Sequence, residues 1–333
     1  MDPLSPRLPT TVTGVTVRLT VNRAAWRQHV QSTATSYGAA LVPVVKGNGY
    51  GFGRPVLHEA VRELATGTVC VGSVHELVDV PHDLNAVVLT PTLTPPSRPA
   101  VLTVGSAAHV HALHGWQGSV MVKLASSMRR YGATPQELSE VTRAATDAGL
   151  GIAGFALHLP LAGNDDDRSA EVTAWLDHLD PTVPLWLSHL QPSSLAALAT
   201  AHANRTFRIR VGTGLWHGVP KGAFLHLGAD VLDARPVSAG DRVGYWHSEI
   251  DTDGTLVAIG AGSAAGVAPL DDPDPARRSP FHFERQRLAL VERPHMHTSL
   301  VLVPHGQPCP AVGDVVDVQR PLISTQVDEV RWE

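Results

Sequence analysis

The sequence predicts an α/β fold in which a (β/α)8 TIM barrel is followed by a small C-terminal β domain. The first two thirds of the chain alternate apolar strand candidates with helix-length segments, and the last third contains short β-rich runs broken by Gly, Asp and Pro. An open, doubly wound sheet is the alternative for the first part. The eight predicted barrel strands are residues 41–46, 68–72, 86–90, 100–104, 119–124, 152–158, 184–189 and 206–211.

Helix-length segments lie beside several of these strands, some with Ser, Thr or Pro near their starts as capping or first-turn residues. A first short strand is predicted at residues 12–18. The predicted domains are an N-terminal strand within 1–18 that packs with the β domain, a barrel at 19–232 and a β domain at 233–333. The predicted helices span residues 21–37, 54–66, 134–149, 168–179 and 193–203.

Composition favours a small-molecule partner. The chain has 333 residues, 43% of them hydrophobic and 17% charged, and a formal net charge of -5. It therefore carries no basic field for nucleic acid, and no apolar run reaches the length of a membrane span. We expect a cytoplasmic protein, because the first residues contain no export signal and the two cysteines are too few for a disulfide framework. The histidines show no metal-ligand spacing, so no metal site is predicted.

The segment VPVVKGNGYGFG (42–53) contains the first candidate for chemistry. An apolar strand ends at Lys46 and continues into glycines, which places the lysine at the carboxyl end of the strand, where barrel enzymes have their active sites. Partial burial there disfavours the ammonium form, and a neutral amine is a nucleophile that can form Schiff bases. The alternative is a lysine that extends out of the core above a flexible turn.

This segment resembles the cofactor-lysine motif of the alanine racemase family, whose members are fold-type III enzymes that depend on pyridoxal 5'-phosphate. The resemblance implies that Lys46 binds the cofactor covalently and that Tyr50, four residues later, contacts its phosphate. The family pattern also requires a partner for the pyridine ring, further phosphate ligands and a second acid/base group.

The next motif, VKLASSMRRYG (122–132), resembles the family segment in which a lysine lies seven residues before an arginine. The resemblance implies that Arg130 lies near the phenolic oxygen of the cofactor and that Lys123 is a candidate for carbamylation. A fixed cation at that place would stabilise a phenolate. The family's Asp-Thr-Gly is replaced here by residues 125–127, Ala-Ser-Ser. An ordinary basic loop is the alternative.

Three later strand ends continue the resemblance. It implies that His158 in GFALHLP lies against the cofactor ring and that Ser193 in SHLQPSS binds phosphate. Alternatively, His158 is a satisfied strand-end histidine and Ser193 is the N-cap of the next helix. In RIRVGTGLWHG the resemblance implies that Arg210 faces the pyridine nitrogen and that the amides of Gly212 and Thr213 hold phosphate. An arginine there favours a racemase over the related decarboxylases, because it leaves the ring a weak electron sink.

The sequence departs from the family at the second acid/base group. The family's tyrosine in the β domain corresponds to Ala261, and no tyrosine follows Tyr245. The nearest replacements are His295 and His297, which flank Met296, the position that contacts the substrate in the family; Ser263 and Cys309 are weaker candidates. An exposed His-x-His at a strand end is the alternative for the two histidines.

Three functions follow from the resemblance. The first is an amino-acid racemase or epimerase, an isomerase that uses Lys46 and a substitute acid and works as a head-to-tail homodimer. The second is a catalytically silent protein that binds the cofactor, and the third is a pyridoxal-phosphate lyase or decarboxylase, which Arg210 disfavours. The substrate would be a small amino acid that the sequence does not specify.

Overall fold

The computed structural model describes residues 16–333. Residue contacts divide the chain into two compact units, and the barrel-forming unit is Ala24–Gly222. The other unit joins the N-terminal segment, described from residue 16, to Ala223–Glu333, and it begins with strand β1 (Val17–Val21). The predicted first strand at 12–18 lies partly outside the described residues. The domain limits at residues 18 and 232 are not tested by this division and stay predictions.

Ala24–Gly222 contains an eight-stranded, all-parallel barrel. Its order is β2-β9-β8-β7-β6-β5-β4-β3, and it closes between β2 and β3, where Val44 bridges Cys70 and the Val45 amide donates to the Cys70 carbonyl at 2.8 Å. The predicted TIM barrel is therefore confirmed, and the open sheet is wrong. The strands are β2 (Leu41–Pro43), β3 (Thr68–Val71), β4 (Asn85–Val88), β5 (Val101–Val104), β6 (Ser119–Lys123), β7 (Gly151–Ala156), β8 (Leu185–Ser188) and β9 (Phe207–Val211).

The helices around this barrel follow local capping signals. The Thr134 hydroxyl accepts from the Glu137 amide, and the Glu137 carboxylate accepts from the Thr134 amide, which fixes the start of α4. Asn164 and Asp167 form the same arrangement, so α5 begins three residues before its predicted start. The helices are α1 (Arg23–Tyr37), α2 (Arg54–Glu63), α3 (Ala107–Ala112), α4 (Pro135–Asp147), α5 (Asp165–Leu176), α6 (Pro192–Ala201) and α7 (Thr213–Trp216).

Helices α3 and α7 were not predicted, because six and four residues are too few to show a helical period. Short 3-10 turns complete the connections in both units. These turns are Gly38–Ala40, Gly49–Gly51, Val74–Asp79, Ser263–Ala265, Pro275–Arg277 and Leu322–Ser324.

Trp216 connects the end of β9 to the end of β2. Its side chain is fully buried, its indole Nε1 donates to the Val44 carbonyl at 2.7 Å, and its own carbonyl accepts from Trp26 Nε1 at 3.0 Å. The Trp26 and Trp216 rings stack with centroids 6.3 Å apart. These contacts fix the backbone two residues before Lys46. Inside the barrel, the strands bury a cluster formed by Val42, Val44, Cys70, Val87, Met121, Ala156 and Trp186.

The second unit is a β domain, as predicted. Its nine-stranded sheet has the order β15-β14-β18-β10-β13-β17-β16, and β1 pairs antiparallel with β10 and parallel with β19. Strands β11 and β12 form a separate ribbon. The strands are β10 (Leu225–Val237), β11 (Arg242–Val243), β12 (Ser248–Glu249), β13 (Gly254–Ile259), β14 (Phe281–Phe283), β15 (Gln286–Arg287), β16 (Ala289–Leu290), β17 (Ser299–Pro304), β18 (Val315–Val318) and β19 (Glu329–Trp332).

Within residues 16–333, no helix is long and apolar enough to cross a bilayer.

Replacing Trp216 tests the connection between β9 and β2. We expect Trp216→Ala to lower the free energy of unfolding by ~3–5 kcal/mol, because it removes a fully buried ring and the hydrogen bond to Val44. The matched control is Leu161→Ala in the same unit, since Leu161 is 78% exposed and should change stability by less than ~0.5 kcal/mol. Urea unfolding followed by tryptophan fluorescence measures both variants, and equal effects would contradict this assignment.

Candidate active site

Lys46 lies three residues beyond β2, at the carboxyl end of the barrel, as its position in the sequence predicts. The loop that follows turns sharply: Gly49 has a φ of +65°, and a Cβ built there would lie 2.4 Å from the Arg54 backbone nitrogen. A larger residue would therefore collide with the first turn of α2. Tyr50 also adopts a left-handed conformation, with a φ of +56°, which directs its buried side chain back into the barrel.

The Lys46 amine is moved towards its neutral form. Surrounding protein atoms remove part of its hydration and lower its pKa, and the positive charges of Arg130 and Arg210 lower it further, whereas Glu76 raises it. The side chain itself remains accessible to solvent. An amine with these properties can react as a nucleophile and can accept a proton, as inferred from the sequence.

The Tyr50 hydroxyl lies directly against Gly212. A Cβ built on Gly212 would be only 2.1 Å from the Tyr50 oxygen, so glycine is required at the end of β9 for the two segments to meet. Burial raises the pKa of Tyr50, and the phenol therefore stays protonated as a hydrogen-bond donor. His217 Nε2 is 2.7 Å from the Tyr50 carbonyl and holds the same turn, a contact that sequence reasoning missed.

Arg210 on β9 is the buried cation of the site. It is 9% exposed, and its Nε and Nη2 donate to the carbonyls of Leu187 and Leu157 at 3.2 and 2.8 Å. No hydrogen bond from Nη1 to a described residue is present. Its charge lowers the pKa of the surrounding titratable side chains in addition to their own burial: Lys46, Lys123, His158 and His189.

Lys123 ends β6 and is almost completely enclosed. It is 4% exposed, and its Nζ has no hydrogen-bond partner among the described residues. Burial lowers its pKa to about 6, with further lowering by Arg210 and Arg130. The free side chain is therefore largely neutral at pH 7, and a neutral amine is the form that reacts with carbon dioxide. Carbamylation of Lys123 stays a prediction.

The loop after β6 carries Arg130 into solvent. The Arg130 guanidinium lies over the Tyr131 ring, 4.8 Å from its centroid. Ser127 anchors the loop to α5, because its amide and hydroxyl donate to the two Glu171 carboxylate oxygens at 2.7 and 2.8 Å. Ser127, the last residue of the Ala-Ser-Ser sequence, thus anchors the loop.

His158 and His189 lie together beyond β7 and β8. Their rings meet edge to face with centroids 5.0 Å apart. Burial, together with Arg210, lowers the pKa of His158 to about 2 and that of His189 to about 4. Both are therefore neutral at pH 7 and present uncharged rings to this part of the site. The sequence resemblance assigned a place beside the cofactor ring only to His158, and His189 joins it because β7 and β8 pack side by side.

Ser193 and Thr213 occupy helix starts at the same end of the barrel. Ser193 is the second residue of α6, whose N-cap is Gln191, so the alternative that Ser193 is a plain N-cap is wrong: Pro192 begins the helix one residue earlier. Thr213 is the first residue of α7, and Gly212 is its N-cap. Both side chains are exposed, and neither hydroxyl has a hydrogen-bond partner among the described residues.

The remaining predicted residues belong to the β unit. The His295 ring forms a hydrogen-bonded pair with Glu292 and stacks on Tyr245 with centroids 4.2 Å apart. Glu292 also accepts from the backbone amides of Tyr245 and Trp246, and although burial alone would raise its pKa, these hydrogen bonds keep the pKa low. His297 and Met296 are exposed. The structure therefore distinguishes the two histidines that the sequence could not.

Ser263 and Cys309, the two weaker candidates for the second acid/base group, differ from His295 in their contacts. The Ser263 amide donates to the His295 carbonyl at 2.8 Å, and Cys309 is a free thiol. Within residues 16–333, neither side chain has an acidic partner such as Glu292 provides for His295.

The barrel residues fit pyridoxal phosphate. Lys46 offers an amine whose pKa is lowered. Arg210 Nη1 has no acceptor among the described residues and could donate to a ring nitrogen. Tyr50 and Gly212 meet in a compact corner that could hold a phosphate. Lys123 supplies an enclosed amine beside Arg130. Among the described residues, no cluster of His, Cys, Asp or Glu could hold a metal ion.

The close contact at Gly212 gives a direct test. We expect Gly212→Ala to displace the Tyr50 hydroxyl and to destabilise the protein by ~1–3 kcal/mol through overpacking. Gly214→Ala is the control, because its Cβ would find its nearest neighbour at an ordinary 3.6 Å. When Tyr50 is also replaced by Ala, the loss of stability caused by Gly212→Ala should fall to about the loss caused by Gly214→Ala. Urea midpoints of the four variants measure this coupling, and an unchanged loss in the Tyr50→Ala protein would contradict it.

The buried Lys123 amine predicts a pH-dependent stability. Since its folded pKa of about 6 lies far below the value of an unfolded lysine, the unfolded chain binds more protons between these values, and stability rises with pH across that range. We expect Lys123→Met to raise the free energy of unfolding near pH 6–7 by roughly 2–4 kcal/mol and to reduce this rise. Arg143→Met, at an exposed position on α4, is the control. Added bicarbonate should stabilise only the wild-type protein and the control if Lys123 is carbamylated, and a destabilised Lys123→Met without bicarbonate would contradict the prediction.

Comparison with known proteins identifies the family and the fold. Residues 21–220 match the family model described as alanine racemase, N-terminal domain. No curated protein matches the chain. Alanine racemase from Bartonella henselae, solved with covalently bound pyridoxal phosphate, is similar with a TM-score of 0.71 and 19% identity over 96% of this chain and 99% of that chain. Biosynthetic alanine racemase from Pseudomonas aeruginosa gives a TM-score of 0.67 and 19% identity over 96% and 99%. At these identities the structures show the fold alone.

Proposed function

The chain belongs to the alanine racemase family, and we propose that it is a pyridoxal-phosphate-dependent amino-acid racemase or epimerase that interconverts L- and D-amino acids. The observation that carries the proposal is the pairing of Lys46, whose pKa is lowered, with Arg210, whose Nη1 has no acceptor among the described residues, at the carboxyl end of the barrel. Tyr50, Gly212, Thr213 and Ser193 would bind the phosphate, and His158 would lie beside the ring.

The chemistry divides between the cofactor and the chain. When bound to an amino acid, pyridoxal phosphate withdraws electrons from Cα and acidifies its proton. Lys46 would hold that proton on one face, since burial and nearby arginines bias its amine towards the neutral form. Arg210 would donate to the ring nitrogen without giving up its proton, which would limit the electron withdrawal and disfavour decarboxylation. Arg130, beside Lys123, would stabilise the phenolate oxygen.

We propose His295, rather than His297, as the second acid/base group. A buried carboxylate, Glu292, fixes one ring nitrogen of His295, and the Tyr245 ring supports its face, an arrangement that orients an imidazole for proton transfer. His297 has no such support among the described residues. The position of the family's tyrosine cannot supply the proton, because Ala261 is 1% exposed and carries only a methyl group.

We further propose a head-to-tail homodimer in which the β unit of each subunit covers the barrel of the other. The proposal is supported by the exposure of Lys46 and Arg130, which leaves the cofactor site open to water in a single barrel. Tyr245, Trp246 and Met296 supply exposed apolar surface next to His295.

Lys46→Ala tests cofactor binding. We expect the purified wild-type protein to be yellow and the variant to lose the visible absorption band, because the amine that binds the cofactor is gone. The chain has only three lysines, and Lys221→Ala, at an exposed position, should keep the band. Absorption spectra recorded after incubation with pyridoxal phosphate and gel filtration measure this. A colourless wild-type protein would contradict the proposal.

A second candidate function, a silent cofactor-binding protein, is favoured by the buried alanine at position 261. Exchange of the Cα proton in heavy water, measured over a panel of amino acids, separates the candidates. Exchange with inversion supports racemisation, exchange without inversion indicates chemistry with one base, and a yellow protein without exchange supports the silent function. Carbon dioxide release would instead identify a decarboxylase.

His295→Phe tests the second acid. With an amino acid that the panel identifies, we expect at least a ~100-fold slower single-turnover exchange from one enantiomer, a smaller effect on the other, and an unchanged absorption band. His297→Phe is the matched control. Mixing Lys46→Ala with His295→Phe subunits should restore about a quarter of wild-type activity, since a random dimer population then contains that share of intact shared sites. Equal effects in both directions, or no restoration, would contradict the assignment.

A further inference from the structure

The backbone before Lys46 lies where neighbouring barrel strands share the fewest paired residues. Neighbouring strands elsewhere pair over two or more residues, whereas β2 and β3 meet at the single bridge between Val44 and Cys70. Lys46 follows this junction on the β2 side, and Gly72 follows it on the β3 side. A group that connects these two backbone segments would therefore control where the Lys46 amine lies.

Glu76 makes that connection. It belongs to the 3-10 turn Val74–Asp79, which follows β3. Its Oε1 accepts from the Gly47 amide at 3.0 Å and its Oε2 accepts from the Gly72 amide at 2.6 Å. One carboxylate thus joins the carboxyl ends of both strands, and we call this arrangement the Glu76 bridge. Charge-assisted hydrogen bonds from two amides are stronger than their neutral equivalents.

The same 3-10 turn holds the other side of Gly47. Arg54 Nη1 donates to the Gly47 carbonyl at 2.6 Å, and Arg54 Nε donates to the Asp79 carboxylate at 2.7 Å. Gly47, the residue directly after Lys46, is therefore fixed at both its amide and its carbonyl. Two acidic residues of one turn, Glu76 directly and Asp79 through Arg54, determine its position.

Glu76 also lies beside the Lys46 side chain. A Cβ built on Gly72 would meet both Glu76 oxygens at 3.1 Å and Lys46 Cβ at 3.2 Å, so all three groups share one small volume. The carboxylate raises the pKa of Lys46 against the lowering by burial and by the nearby arginines. The other charged or titratable groups that act with Lys46 are Arg130 from the loop after β6, Arg210 on β9, Cys70 on β3 and His189 after β8.

We propose that Glu76 is a positioning residue for Lys46, which joins the carboxyl ends of β2 and β3 and holds a negative charge beside the lysine amine. The catalytic meaning of this role rests on the proposed function. The bridge itself does not, because it consists only of contacts among this chain's own residues. Removing the negative charge of Glu76 should favour the neutral form of the Lys46 amine. Shortening the Glu76 side chain should release the Gly47 and Gly72 amides from their hydrogen bonds.

The first test measures Lys46 without cofactor. Cofactor-free protein is labelled with trinitrobenzenesulfonate over a range of pH, and peptide mass spectrometry resolves the three lysines, with Lys221 as an internal standard. We expect Glu76→Gln to shift the midpoint of Lys46 labelling to lower pH, so that labelling below the midpoint becomes roughly three- to tenfold faster relative to the high-pH plateau. Glu140→Gln, at an exposed acid on α4, is the control and should leave the midpoint unchanged. Equal midpoints in all three proteins would overturn the electrostatic role.

The second test separates charge from reach. Glu76→Asp keeps the charge and shortens the side chain, so we expect a labelling midpoint near that of the wild-type protein but at least ~10-fold faster hydrogen exchange at the amides of Gly47 and Gly72. If these two amides exchange in Glu76→Asp as slowly as in the wild-type protein, the Glu76 bridge is overturned. The same measurement tests the bridge if Glu76→Gln does not fold. In the cofactor-loaded protein, Glu76→Gln should also lose bound pyridoxal phosphate ~10-fold faster on dilution. A wild-type protein that binds no pyridoxal phosphate would overturn the proposed function and leave the labelling and exchange results to decide the bridge.

Discussion

The candidate site depends on a buried cation that has no acidic partner among the described residues. Arg210 is held by the carbonyls of Leu187 and Leu157, which are dipoles and not charges, so its positive charge is not neutralised locally. The same burial that encloses it makes its field strong. Its charge lowers the pKa of four neighbouring side chains and so reduces the repulsion among the two lysines and two histidines that share this end of the barrel: Lys46, Lys123, His158 and His189.

An uncompensated cationic site favours an anionic ligand. Glu76 and Glu171 are the acids that act on Lys46 and Lys123, and each is already engaged, Glu76 with two backbone amides and Glu171 with Ser127. The negative charges of Glu76 and Glu171 therefore serve to position the loops that these hydrogen bonds hold. A cofactor that carries a phosphate and a phenolate would supply the missing negative charge, which is the physical reason that the residues present fit pyridoxal phosphate.

The sequence predicted the barrel well because its strands are buried on both faces. Runs such as 86–90 contain almost only apolar residues, and the observed strands differ from the predicted ones by at most three residues at either end. Helices α3 and α7 were missed because they have too few residues for a period. Lys46 could be predicted from its own segment, since an apolar strand that ends at a lysine is visible locally.

Other parts of the site could not be predicted because they depend on tertiary contacts. Glu76 has no local signature, and its role appears only when β2 and β3 meet around the barrel. The contact between His158 and His189 requires β7 and β8 to lie side by side. His295 and His297 are equivalent in the sequence, and only the fold places the buried Glu292 beside the first of them.

Ala261, which occupies the position of the family's tyrosine in the sequence resemblance, lies in a tightly packed segment. The Ala261 carbonyl accepts from the Ser299 hydroxyl at 2.6 Å, and a Cβ built on the next residue, Gly262, would lie 2.3 Å from the His295 carbonyl. This segment therefore packs backbone to backbone against the turn that carries His295, with no space for a large side chain at Gly262. Since the Ser263 and Ala264 amides donate to the carbonyls of His295 and Met296, the segment that has lost a tyrosine now fixes the position of the histidine turn. The residue in place of the family's tyrosine and the backbone support of His295 thus belong to one segment, which is why we favour His295 as the site of a relocated proton transfer.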